Sequence, residues 1–223
     1  MSKKLFIEAI LKYLLGVILV GLLIFLPAGT INYLKGWIFM GILFVPMFIA
    51  GVVMMIKNPK LLKSRLDSKE EQGEQKLVIK LSGLMFIIGF ILAGLDFRFN
   101  WLVIPSWISY TSSVIFLVFY VMYGEVLREN ATLLRTIKVE ENQKVVDTGL
   151  YGIVRHPMYS ATIILFLSMP IVLGSFASFL IFLVYPILII FRIKNEEKLL
   201  EKELEGYIEY KKRVKYRIIP FIW

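Results

Sequence analysis

The 223-residue chain has no cysteine and one histidine, His156. The first absence excludes disulfides, thiolate metal ligands and a cysteine nucleophile, and it leaves the redox compartment unread. The second excludes a multi-histidine metal site and the His-Glu-x-x-His helix, so no metal is expected. No two glycines stand in a G-x-G spacing and no Gly-Lys-Ser/Thr occurs. Neither a dinucleotide fingerprint nor a P-loop is therefore available. Charge is also locally absent: the 35 residues 157–191 carry none.

What fills the chain instead is apolar surface. At 58% hydrophobic residues, a chain of this length has more than a soluble core can hide. Uncharged runs at 13–34, 36–56, 81–95 and 99–124 each read as a membrane span, the third short enough for Lys80 to reach back to the interface. The run 157–191 would form a helix of about 52 Å, against a hydrocarbon core of about 30 Å. It therefore reads as two helices turning at Gly174-Ser175. The expected architecture is all-α and polytopic, with six helical segments, because lipid leaves no partner for unpaired backbone groups. Residues 1–124 would supply four transmembrane helices of a single membrane domain, with 125–223 as its second part. Beyond residue 194, Leu199, Leu200, Leu204 and Tyr207 recur at helical spacing between charges, which predicts an amphipathic helix at the interface.

Basic residues set the expected orientation. Of 26 Lys and Arg, 24 fall in the N-terminal segment, the segments after spans two and four, and the tail; the opposite side receives Lys35 and Arg98. Both termini are then expected in the cytoplasm. The Lys3-Lys4 start resembles a signal peptide, but the long span without a small-x-small cleavage site predicts a retained helix. Net charge +9 is spread over juxtamembrane segments, so anionic headgroups rather than nucleic acid are the expected partners.

The outward and return helices of the hairpin bring distant polar residues to one membrane face. Arg155 and His156 precede Pro157, which suits the first position of a helix, and Arg192, Glu196 and Glu197 follow the return helix. His156 would cap the first hairpin helix, whose free N–H groups favour an anion. Tyr151 and Tyr159 offer ring faces for a purine or a sulfonium cation, and Arg192 and Glu196 share one helix face. Each piece has a plainer reading: an interfacial anchor and helix start, an i,i+4 surface pair, an aromatic belt. Convergence is what points to a site.

From residue 143 to 223 the chain resembles the isoprenylcysteine carboxyl methyltransferase family of integral membrane enzymes. The matching elements are Gly149-Leu150-Tyr151, Arg155-His156-Pro157-Met158-Tyr159, Arg192 with Glu196-Glu197, Gly206-Tyr207, Tyr210 and Arg217-Ile218-Ile219-Pro220. Leu150 and Ala161 depart from the proline and glycine common in the family. The resemblance implies S-adenosylmethionine as methyl donor and makes residues 125–223 the cofactor-binding and catalytic region. It implies cofactor contacts at Gln143, Lys144, Val145, Val146, Tyr151, His156, Pro157, Met158, Tyr159 and Glu196, with Thr136 as a further candidate. It implies that Arg192 is the substrate-side arginine, and so a catalytic pair of Arg192 and Glu196.

The expected activity is methyl transfer to a lipophilic acceptor that enters from the bilayer, a carboxylate first of all, in a bacterial or archaeal cytoplasmic membrane. The alternatives are a phospholipid or small-amine methyltransferase, a sterol-reductase-like enzyme using NADPH, and a non-enzymatic membrane protein or transporter.

Overall fold

The computed structural model describes residues 3–66, 73–130 and 144–223. Gln143 and Thr136 lie outside the described residues. In chain order come α1 (Lys3–Ala28), α2 (Leu34–Lys57), α3 (Pro59–Leu66), α4 (Gly73–Phe99) and α5 (Ser106–Glu129). A 3-10 turn (Gly149–Gly152) then leads to α6 (Pro157–Val172), α7 (Phe176–Phe182), α8 (Val184–Glu203) and α9 (Tyr207–Arg213). α1, α2, Gln75–Phe99 of α4, α5 and the stretch Phe176–Glu203 are long and apolar enough to cross a membrane, and α6 is a shorter apolar helix. This is the all-α polytopic fold expected, with six apolar segments among the described residues. α4 runs well past its uncharged stretch at both ends, and Lys80 is exposed on it.

The outer helix faces are uncovered by protein: Leu26 and Ile56 are each 74% exposed and Val121 is 73% exposed. In water such faces would aggregate; in a bilayer, lipid covers them. Between helices, packing rather than hydrophobicity must provide the attraction, and two glycines of α4 allow it. A β-carbon on Gly94 would collide with the Ile24 carbonyl oxygen of α1, and one on Gly89 with the Phe182 ring of α7. Phe39, Phe90, Phe116 and Phe182 are buried where α2, α4, α5 and α7 meet.

The hairpin turns where expected. Gly174 adopts φ +78, a left-handed backbone that glycine takes without penalty, and Ser175 Oγ accepts from the Ser178 N–H to start α7. Three contacts pin this tip. The Tyr33 hydroxyl donates to the Leu173 carbonyl, Ser175 Oγ donates to the buried Asp96 carboxylate at 2.6 Å, and Val103 pairs with Ser175 in an isolated antiparallel bridge. The return leg breaks once, at Leu183, between α7 and α8. Pro186 explains the break, since it has no N–H for the Phe182 carbonyl and its ring crowds that carbonyl.

At the opposite end α8 runs on through Glu203, and the tail divides in two rather than forming one helix from residue 194. Gly206, at φ +81, ends the turn after α8 and begins α9. The tail's apolar stripe turns inward: Leu204, Tyr207, Tyr210 and Val214 are buried together, with Val145 and Leu200 packed on them.

A candidate cofactor cleft beside an arginine

The start of α6 is held by the end of the tail. Arg155 N–H donates to the Tyr216 carbonyl at 2.9 Å and His156 N–H to the Arg217 carbonyl at 2.8 Å. Ser160 Oγ donates to the Ile218 carbonyl at 2.6 Å. Pro157 occupies the first turn of α6 and His156 the cap position. The His156 side chain makes no cap bond, however; its Nε2 lies 3.3 Å from Glu197 Oε1.

Glu197 is where the charges meet. Its side chain is 4% exposed, and Arg155 Nε and Nη2 each lie 2.8 Å from its Oε1. Arg217 Nε donates to its Oε2 at 2.9 Å. Arg155 Nη1 adds bonds to the Val214 and Lys215 carbonyls at 2.7 and 2.8 Å. The positive charge that Arg155 brings to the α6 N-terminus is thus matched within the protein. A buried carboxylate with several charge-assisted partners is a construction that holds elements together, here α6, α8 and the tail.

Next to Glu197, Glu196 points to a different partner. The Tyr159 hydroxyl donates to Glu196 Oε2 at 2.6 Å and accepts from Arg192 Nε at 2.8 Å. Tyr159 is 4% exposed, and its ring stacks near His156 with centroids 5.7 Å apart. Below it, Tyr185 Oη donates to Thr162 Oγ1 at 3.1 Å, tying α8 to α6 again.

These groups border a cleft lined by Lys144, Val145, Val146, Tyr151, His156, Met158, Tyr159 and Glu196, all expected from the sequence, and by Asn130, Arg155, Leu200, Leu204, Tyr207 and Tyr210. Its volume is about 80 Å³, below the roughly 300–1,000 Å³ of typical ligand pockets. A nucleoside-sized ligand therefore requires the walls to part. Arg192 and Pro157 do not line the cleft: Pro157 is buried in the first turn of α6, and Arg192 stands on the far side of the Tyr159 hydroxyl.

The cleft is edged by neutral phenols. Burial pushes the ionisation of Tyr151, Tyr207 and Tyr210 well above the ordinary tyrosine range. Tyr210 donates to the Tyr151 carbonyl at 2.7 Å, and Asn130 Nδ2 donates to the Tyr151 hydroxyl at 3.4 Å. Glu129 braces the same turn from α5, accepting from Leu150 N–H at 3.1 Å and Thr148 Oγ1 at 3.2 Å. A ring-faced cleft with a carboxylate at one side and a buried Tyr207 hydroxyl that has no hydrogen-bond partner among the described residues suits a polar ligand with an aromatic base and a cationic centre.

Glu197 was expected at this face without an assigned role; Asn130 and Tyr210 were not among the expected site residues, nor were Leu204 and Tyr207 expected as walls. The signal for the last two was present in the apolar stripe of the tail. Helical spacing reveals that such a stripe is covered, not what covers it.

Residues 106–205 match the phospholipid methyltransferase family. Over 93 residues the chain is 33% identical to Delta(14)-sterol reductase TM7SF2 of Mus musculus, a stretch that is 40% of this chain. The chain spans 22% of the length of that relative. The family match takes in α5, the Arg155–Tyr159 cluster and the Glu196-Glu197 pair, and stops before α9. The chain is an integral membrane protein whose residues 106–205, holding most of the cleft, carry the pattern of a membrane methyltransferase family.

Proposed function

We propose that the protein transfers the methyl group of S-adenosylmethionine to a lipophilic acceptor that enters from the bilayer, with a carboxylate of the isoprenylcysteine type as the favoured acceptor. The observation that carries this reading is the Tyr159 hydroxyl, bonded on one side to Glu196 in the cleft wall and on the other to Arg192. One buried group thus links the cleft to a cation outside it.

The residues that would hold the cofactor are Lys144, Val145, Val146, Tyr151, His156, Met158, Tyr159 and Glu196 along the cleft, with Gln143 and Pro157 added by family resemblance. When bound, S-adenosylmethionine supplies an electrophilic methyl on a sulfonium. The rings of Tyr151 and Tyr159 favour such a cation, and Glu196 adds a negative charge beside it. A carboxylate acceptor is nucleophilic without a base, so this chain's task is alignment and exclusion of water. Arg192 orients the carboxylate through its planar fork. Tyr159, held between Arg192 and Glu196, fixes the arginine relative to the cleft.

The family match favours a second acceptor, a phospholipid amine. Arg192 would then hold the headgroup phosphate, and the amine would have to lose a proton before transfer. Basic segments on the cleft side of the membrane suit anionic headgroups in either case.

The test is transfer of labelled methyl from S-adenosylmethionine into membrane extract, followed by identification of the product. A methyl ester supports the carboxylate reading and a methylated amine the phospholipid reading. Binding of NADPH without binding of S-adenosylmethionine would replace both with a reductase.

A further inference from the structure

Most buried polar side chains that line the cleft have protein partners. Asn130 and Tyr151 meet each other, Tyr210 reaches the Tyr151 carbonyl, Tyr159 reaches Glu196, and Arg155 and His156 reach Glu197. Tyr207 differs. It is 3% exposed, it lines the cleft, and its hydroxyl has no hydrogen-bond partner among the described residues.

That position is built rather than incidental. Gly206 takes φ +81, and a β-carbon there would find its nearest neighbour, Val145 Cγ2, at 3.9 Å. Space is ample, so the backbone conformation is what asks for glycine. The turn begins α9 and sets the Tyr207 ring against Tyr210, with centroids 5.8 Å apart. Phenylalanine would fill the same volume without burying an unbonded hydroxyl, which is costly. Glu197 and Glu196 act on this phenol from α8 and Arg155 from the start of α6. Such surroundings suit a polar ligand group and not an acyl chain.

We infer that the Tyr207 hydroxyl is a hydrogen-bonding contact for the methyl donor, an adenosyl sulfonium amino acid, and that it sets donor affinity without supporting the fold. The inference rests on the methyl-donor reading of the cleft. Tyr207 lies outside the family match, which ends at residue 205, and outside the contacts implied by resemblance.

The experiment uses the full chain in detergent, as wild type, Tyr207→Phe and Tyr210→Phe. Each is titrated with S-adenosylmethionine by calorimetry and melted without ligand. Tyr207→Phe should melt at or above the wild-type temperature and bind about tenfold more weakly, the loss of one ordinary hydrogen bond. Tyr210→Phe, deprived of its bond to the Tyr151 carbonyl, should melt lower. Wild-type affinity in Tyr207→Phe would overturn the assignment and leave the donor reading standing. No binding to the wild-type protein would overturn the donor reading and the assignment with it. A ligand-free melting loss in Tyr207→Phe equal to that of Tyr210→Phe would make the hydroxyl structural and also overturn the assignment.

Discussion

Arg192 reaches Glu196 through a third side chain: its Nε donates to the Tyr159 hydroxyl at 2.8 Å, and that hydroxyl donates to Glu196 Oε2 at 2.6 Å. Four residues apart on α8, the two would read as a surface pair worth a few tenths of a kcal/mol. The buried phenol from α6 changes what they do. It makes the position of the arginine depend on the same carboxylate that lines the cleft.

Tyr159→Phe should therefore separate the two without emptying the core, because the ring volume is kept. Each hydrogen bond to a charged group is worth about 1.5–3 kcal/mol, so single-turnover methyl transfer should slow at least about tenfold. Thermal stability in detergent should change little by comparison. Full transfer rate in Tyr159→Phe would show that the linkage is not used.

Arg192→Lys keeps the charge and loses the planar fork. For an acceptor held by a carboxylate or phosphate, transfer should fall by at least about tenfold, with losses of about 1.5–3 kcal/mol per charge-assisted bond. Cofactor affinity should barely move, since Arg192 does not line the cleft. Parallel single-turnover kinetics and cofactor titration check this. Undiminished transfer in Arg192→Ala would remove the residue from the mechanism.

Glu197→Gln tests the fold rather than the chemistry. The substitution leaves Arg155 buried without its counter-charge, at 3% side-chain exposure. Removing one partner of a buried pair costs about 3–5 kcal/mol. The detergent-solubilised variant should melt well below wild type, and its residues 214–218 should become sensitive to protease. A variant as stable and as resistant as wild type would show that the tail docks without this carboxylate.

Orientation in the membrane is a separate expectation, drawn from charge. A reporter placed at Ser175 should lie outside the cytoplasm and one at Trp223 inside it, as read by accessibility in intact cells. A cytoplasmic Ser175 would overturn this charge-based orientation.

Much of this was legible in the sequence because the membrane imposes simple constraints. The length of the run 157–191 forced a turn, and Gly174-Ser175 supplied it. The turn in turn brought Arg155 and His156 to Glu196 and Glu197. Ring chemistry singled out Tyr151 and Tyr159, whereas Lys144, Val145, Val146 and Met158 came to the cleft through the family resemblance alone. Illegible was the division of labour between adjacent glutamates, one facing the core and one the cleft. A one-residue step on a helix rotates a side chain by about 100°, and only the neighbours decide which direction is interior. The break at Leu183 was hidden inside an uninterrupted apolar run, and the inward turn of the tail behind a stripe that membrane or protein could equally have covered.

The pinned tip of the hairpin gives the molecule a fulcrum. Asp96, Tyr33 and Val103 fasten residues 173–175 at one end, while the cleft is at the other. α6 has 16 residues between them, a lever of about 24 Å, so a tilt of about 10° about the tip displaces its cleft end by about 4 Å. Any parting of the cleft by a tilt of α6 would therefore turn on contacts at the opposite end of the helix.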